Sequence, residues 1–248
     1  MNQVDFLKIQ EQVFSCNSLS EYIIPGSSER FFDLSRIMLE ANATMNLTAL
    51  RDEKAVITKH FADCLLAAKY LPQTPCRLLD VGSGGGMPAL PFAIVRPDIE
   101  ITALDATAKK TAYISHAAKA LGLRNVDTLT GRAEELGTDL HYREKFDVVC
   151  ARAVAELPIL LEWCIPFVKN GGIFIALKGK NGPFELKKSE NAFHELFCEL
   201  ESKANLCLED PLAEEPETSE RYIYVIRKKS PTLKKYPRRN ALITKSPL

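Results

Sequence analysis

Apolar residues recur at helical spacing through the first seventy positions, and then the pattern changes to short solid runs. In residues 3–15, Val4, Leu7, Ile9 and Val13 share roughly one helical face. Ser28 is placed to cap a second helix whose apolar set is Phe31, Phe32, Leu34, Ile37, Met38 and Ala41. A third helix, from about Asp52 to Tyr70, turns Val56, Phe61, Leu65 and Ala68 inward, and Asn46-Leu47-Thr48-Ala49 forms the turn before it. Pro72 and Pro75 close this segment. From Cys76 to about Lys178, strands and helices alternate. The strands fall at Leu78–Val81, Ile99–Leu104, Val126–Leu129, Phe146–Cys150 and Ile173–Leu177, with helices at Pro88–Val95, Ala108–Leu121 and Pro158–Val168 between them. Repeated strand–helix units imply right-handed crossovers and an α/β fold with a mostly parallel sheet covered on both faces. A further helix is expected over Phe184–Leu200, an acidic connection over Asp210–Glu220 and a last strand over Tyr222–Ile226. Residues 1–73 thus read as a helical extension packed on a main unit at 74–248.

Composition narrows the class. The chain has 248 residues, 46% apolar and 26% charged, which suits a globular protein with a sizeable core. No run of about 18 apolar residues occurs, and the N-terminus lacks a basic-then-apolar leader, so a cytoplasmic protein without a membrane span is expected. Seven scattered cysteines, never in Cys-x-x-Cys, and four scattered histidines point to free thiols and no metal site. Net charge is zero, but its distribution is uneven. Residues 185–220 carry eleven acids against three bases, and residues 221–248 carry nine Lys or Arg and no acid. That asymmetry implies a local basic surface. Arg227, Lys228, Lys229, Lys234, Lys235, Arg238 and Arg239 are placed to follow phosphates, with Tyr236 interleaved for stacking and Lys59, His60, Lys178 and Lys180 extending the surface. A structural histidine is an equal reading of His60.

The chemistry centres on Leu78-Leu79-Asp80-Val81-Gly82-Ser83-Gly84-Gly85-Gly86-Met87-Pro88. Glycines after a strand and before a helix let a ligand approach the backbone and meet unpaired N–H groups. A P-loop is excluded because no Lys follows, and a dinucleotide fingerprint counted from Gly82 fails because Met87 stands at its third glycine position. Asp80, Gly82, Gly84 and Gly86 fit Asp-x-Gly-x-Gly-x-Gly, which resembles the first motif of S-adenosylmethionine-dependent methyltransferases. A carboxylate at the strand end suits the cofactor's cationic amino-acid tail. Asp105 ends the second strand 25 residues on, where an acid either holds a ribose diol or caps the Ala108 helix; the glycine loop favours the diol. Ala133 and Glu134 follow the third strand, in reach of an adenine edge. Asp147 and Cys150 read as structural.

Seven segments together are more specific. Asn46-Leu47-Thr48, Lys59-His60-Phe61, the Asp80–Pro88 loop, Gly131-Arg132-Ala133-Glu134, Ala151-Arg152-Ala153-Val154-Ala155, Ala176-Leu177-Lys178-Gly179 and Lys234-Lys235-Tyr236-Pro237-Arg238-Arg239 resemble the bacterial glucose-inhibited division protein B family, the guanine-N7 methyltransferases of small-subunit (16S) ribosomal RNA. The likeness runs from about residue 30 to the C-terminus. It implies a Rossmann-like class I methyltransferase fold, S-adenosylmethionine as cofactor and the small ribosomal subunit or its RNA as partner; a monomer is expected. It also implies that Gly82, Met87, Ala133, Glu134 and Arg152 line the cofactor site. Met87 departs from the usual Phe or Leu, Ala89 stands where Gly is common, and Asn240-Ala241-Leu242 is less rich in Gly and Pro than usual.

Residue chemistry agrees with that resemblance. Guanine N7 has a free lone pair at neutral pH, so no acid or base is required and catalysis reduces to orientation. The sequence has no Asn-Pro-Pro-Tyr motif. Arg152 is the candidate for positioning, toward cofactor or RNA. The rival readings are a small-molecule methyltransferase, which the basic tail opposes, and an RNA-binding protein with a vestigial pocket, which the intact glycine motif opposes.

Overall fold

A computed structural model describes residues 1–213 and 217–248; part of the expected Asp210–Glu220 connection, residues 214–216, lies outside the described residues. Helix α1 (Gln3–Cys16) starts where the Asn2 side chain accepts from Asp5 N at 2.9 Å. Its buried face is Phe6, Gln10, Val13 and Phe14, whereas Val4 is exposed, so the inward stripe lies beside the one read from the sequence. Helix α2 (Ser27–Met45) follows a left-handed Gly26 with no side-chain cap, so Ser28 does not cap it. The expected third helix is present as α3 (Glu53–Val56), a π-helical stretch (Ile57–Ala62) and α4 (Asp63–Leu65), followed by a 3₁₀ turn at Ala68–Tyr70.

The alternating region follows as β1 (Arg77–Val81), α5 (Ala89–Val95), β2 (Glu100–Asp105), α6 (Ala108–Ala120), β3 (Val126–Thr130), α7 (Ala133–Leu136), β4 (Phe146–Arg152), α8 (Leu157–Cys164) and β5 (Val168–Lys178). Beyond it lie α9 (Gly182–Lys187), α10 (Glu190–Glu195), β6 (Cys198–Asp210), β7 (Glu217–Lys228) and α11 (Asn240–Lys245). Among the described residues, seven strands run in the order β3-β2-β1-β4-β5-β7-β6, parallel from β1 to β5, with β7 antiparallel to both β5 and β6. Two expectations are corrected here. The single helix over Phe184–Leu200 is two short helices, ended by Phe197 at φ 52°, and the strand β6 takes Cys198–Asp210.

Alternation along the strands builds a core on each face. Val148 and Cys150 of β4 face one side with Ile173, Ile175 and Leu177 of β5, and α1 to α6 cover them. Val149 and Ala151 face the other side with Phe174 and Ala176, under α8, Leu196 and Tyr236. Phe6, Phe14, Phe31, Phe32 and Phe61 of the helical extension belong to the first of these cores, so residues 1–73 share a continuous interior with the sheet. Asn17 finishes α1 by clasping the edge strand: its Nδ2 donates to Glu209 O at 2.9 Å and its Oδ1 accepts from Glu209 N at 2.8 Å. The chain leaves β1 for β2 and β3 on one side and returns to β4 on the other, so a crevice opens at the carboxyl ends of β1 and β4.

Candidate functional site

The glycine loop sits at that crevice. Gly82, Gly84 and Gly86 have φ values of 74°, 58° and 81°, a region that disfavours side chains. At Gly82 a Cβ would also stand 2.7 Å from Val154 Cγ2, so the Val154 side chain would have to shift to admit it. The turn is fastened from β2: Leu104 O accepts from Gly82 N (2.8 Å) and Ser83 N (2.9 Å), and Asp105 Oδ2 accepts from Gly84 N at 3.0 Å.

Asp80 is fully buried beneath the loop and does not face open space. Its Oδ2 accepts from Ser83 Oγ (2.5 Å) and from Ala89 N at the start of α5 (3.2 Å). Burial pushes its pKa up to about 6, against the hydrogen bonds from Ser83 and Ala89 that favour the carboxylate. The expectation that Asp80 meets a ligand's ammonium directly is therefore corrected: a carboxylate in this position ties strand, loop and helix together. Met87 is also removed from the candidate lining, since it is buried among the apolar side chains of the first core.

Two clefts meet at this edge. The first, about 400 Å³, is lined by Gly82, Asp105, Ala133, Glu134, Trp163 and Asn240, together with Lys110 and Arg132. Asp105 is mostly buried, and each oxygen accepts one backbone N–H: Thr107 N at 2.9 Å and Gly84 N at 3.0 Å. A carboxylate keeps further lone pairs after two such bonds. The Ala108 helix is capped by Thr107 without a side-chain bond, so Asp105 is not its N-cap.

The second cleft, about 470 Å³, is lined by five cations (Lys59, Arg152, Lys178, Lys180 and Arg221) against two carboxylates (Asp63 and Glu185). Arg152 ends β4 in the hands of the π-helical stretch and the turn after it. Its Nη1 donates to Asp63 Oδ2 at 2.8 Å and its Nη2 to His60 Nδ1 at 3.2 Å, while its buried Nε has no hydrogen-bond partner among the described residues. His60 Nδ1 thus lies between that guanidinium, which only donates, and Lys59 O at 3.1 Å, which only accepts, and its Nε2 is 2.9 Å from Thr48 Oγ1. Asn42 braces that turn by donating to Thr48 O and accepting from Thr48 N, both at 2.9 Å. Burial, and then the Arg152 charge, lowers the His60 pKa to about 4. Arg221 also binds Asp63. Lys178 is buried against Glu185. Ala153, at φ 56°, lines both clefts.

The basic tail is an ordered strap. The sequence places Lys228 among the residues that track phosphates, but its side chain is fully buried. It donates to Glu144 Oε1 (2.7 Å), Val168 O (2.9 Å) and Ile165 O (3.2 Å), which corrects that assignment. Tyr236 is buried with its hydroxyl on Glu195, so it does not stand free to stack. Arg238 grips the fully buried Glu162. Lys229 and Lys235 are exposed but pair with Glu199 and Glu195. Lys234 and Arg239 are exposed with no ion pair among the described residues, and Arg239 lines a groove shared with Arg132, Glu134 and Asn240. Sequence reasoning missed Ala153, Asp63, Arg221, Trp163 and Asn240. Asp63 alone had a local signal, one helical turn after His60.

Among the described residues no group of three or more His, Cys, Asp or Glu side chains could hold a metal ion, and no helix is long and apolar enough to cross a membrane. The family described as rRNA small subunit methyltransferase G (GidB) matches residues 27–209. A relative from Acetivibrio thermocellus, named ribosomal RNA small subunit methyltransferase G, is 39% identical over 222 residues, 89% of this chain and 88% of its own. One of that name from Streptococcus pyogenes serotype M12 is 37% identical over 251 residues, the whole of both chains. Among solved structures, YcgJ of Bacillus subtilis superposes with a TM-score of 0.52 at 18% identity, over 69% of this chain and all of that one. TYW2 of P. horikoshii, in complex with MeSAdo, gives 0.51 at 14% identity, over 68% of this chain and 62% of that one. At such identities these two carry the fold alone.

Proposed function

The chain belongs to the rRNA small subunit methyltransferase G family, and from that premise we propose how its two clefts serve an S-adenosylmethionine-dependent transfer of methyl to N7 of one guanine in 16S ribosomal RNA. The cofactor supplies an electrophilic methyl group carried on a sulfonium. The first cleft has the residues to hold it. Gly82 offers bare backbone, Asp105 has lone pairs left for a ribose diol, and Ala133 and Glu134 stand where a base edge is read. Gly84, Gly86, Asp80 and Met87 act one layer behind, shaping the loop and its core.

The cationic cleft receives the guanine. N7 already presents a lone pair, so no residue needs to take a proton, and the rate depends on holding that lone pair in line with the methyl. The unpaired Nε–H of Arg152 is suited to guanine O6, which leaves the neighbouring N7 free. Lys59, Lys180 and Arg221 add positive charge for the flanking phosphates. Lys234 and Arg239 extend this surface, and Lys229 and Lys235 join it by exchanging their glutamates for phosphates. The protein works as a cytoplasmic monomer on the small ribosomal subunit or its RNA.

One observation carries this reading: a single residue, Ala153, borders both clefts, so methyl donor and acceptor meet there. The test is transfer of labelled methyl from S-adenosylmethionine to small-subunit particles lacking the modification, followed by nucleoside analysis. One labelled 7-methylguanosine is expected, and Gly82→Val, which drives a side chain into Val154, abolishes it. Measurable cofactor binding with no labelled nucleoside overturns the ribosomal assignment.

A further inference from the structure

Two of the buried polar atoms left without a partner among the described residues belong to side chains that line the first cleft: Trp163 Nε1 and Asn240 Oδ1. One only donates and the other only accepts. They stand on elements that pack together, α8 and α11, far apart in sequence. A buried donor or acceptor left unmade costs more than an ordinary hydrogen bond returns, so such atoms signal a missing partner. Adenine supplies the complementary pair, because its exocyclic amine donates and the ring nitrogens on either side of it accept.

We propose that Trp163 and Asn240 form a base-recognition pair for the cofactor, with the Asn240 carbonyl accepting from the adenine amine and the Trp163 indole donating to a ring nitrogen. This rests on the reading of the first cleft as the S-adenosylmethionine site, and it gives the basic strap a second task. Arg143 fixes the strap by donating to the carbonyls of Thr232 (2.8 Å) and Tyr236 (2.9 Å), and the Glu162–Arg238 pair fixes it again two residues before Asn240. The segment that presents Arg239 to RNA thus also closes the wall beside the base.

Calorimetric titration with S-adenosylhomocysteine and with its deaminated analogue, S-inosylhomocysteine, tests the pair. Deamination replaces the amine with a carbonyl, which faces the Asn240 oxygen acceptor to acceptor. The wild-type protein is expected to prefer the adenine compound strongly. Asn240→Leu should narrow that preference roughly tenfold, the worth of one buried hydrogen bond, while Asn240→Asp, which keeps an acceptor, retains it. Trp163→Phe keeps a ring but deletes the N–H, and should weaken S-adenosylhomocysteine about fivefold. Trp163 is the chain's single tryptophan, so its emission should change on titration. A folded Asn240→Leu protein with the wild-type preference, or an emission unmoved at saturation, overturns the pair and leaves the cofactor site standing. Absence of binding by the wild-type protein overturns the cofactor site and the pair together.

Discussion

His60 is held neutral by its neighbours, and this has a measurable sign. Its pKa falls from an ordinary 6.5 to about 4 in the folded state. Between those values the unfolded chain binds more protons, so the stability due to this group is present above pH 6.5 and lost as pH falls through 4. A shift of this size corresponds to roughly 3 kcal/mol. Asp80 acts in the opposite sense: its contribution is full below its usual value of 3.8 and is lost as pH rises through about 6. The two overlap, so melting temperature alone does not separate them. The difference between wild type and His60→Gln does, and it should shrink as pH is lowered from 7 to 4.5. A difference that stays constant would falsify the neutral, Arg152-facing ring. At this scale the sequence is informative where local geometry decides and misleading where burial decides. Gly82 is legible because a tight turn after a strand demands glycine. Asp80 and Lys228 invite assignment to ligands because their charge is visible in the sequence and their burial is not. Trp163 and Asn240 give no signal, since neither belongs to a motif.

Elements are read best where they are local and periodic. The five parallel strands and their helices fall within a few residues of expectation, except that β5 begins at Val168 and the helix expected to reach Val168 ends at Cys164. Strand β6 escapes because its inward set is sparse (Ala204, Leu206 and Leu208) and an irregularity between Leu200 and Ser202 shifts its phase. A π-helical stretch has no sequence signature either, yet it is what delivers Lys59 to the cationic cleft and His60 to Arg152. The strap offers a test of an element held by one buried pair. Glu162 is fully enclosed and accepts from the Arg238 backbone N–H, Nε and Nη2. Arg238→Ala strands a carboxylate in the interior and should cost about 3 kcal/mol in chemical denaturation. Removing both charges with Glu162→Gln and Arg238→Met should cost distinctly less, because no unpaired charge remains. Equal losses would place the stability in packing instead.

For the whole molecule, zero net charge conceals a division of labour. Six of the nine cations of residues 221–248 are already paired with acids that precede them in sequence: Glu195, Glu199 and Glu201 hold Lys235, Lys229 and Arg227, and Asp63, Glu144 and Glu162 hold Arg221, Lys228 and Arg238. On the function proposed above, the residual attraction for RNA falls to Lys234, Arg239, Lys180 and the rest of the cationic cleft. Binding to a 16S ribosomal RNA fragment should weaken with salt, and Lys234→Ala with Arg239→Ala should flatten that logarithmic slope by about 0.7 for each phosphate no longer neutralised. Lys228→Met should change stability and leave the slope alone; a changed slope would return Lys228 to the RNA surface. The fold class is legible because strand–helix repeats dictate a crossover sheet. The second cleft is not, since it needs Lys59, Arg152, Lys178 and Arg221 brought together from four segments. That dispersal has a consequence for the protein's own synthesis. The wall of the first cleft takes Gly82 early and Asn240 late, and Asn17 waits for Glu209 to close its clasp. A nascent chain emerging N-terminus first can make helices and part of the sheet, but its first cleft is unfinished until residue 240 has been added and has folded back.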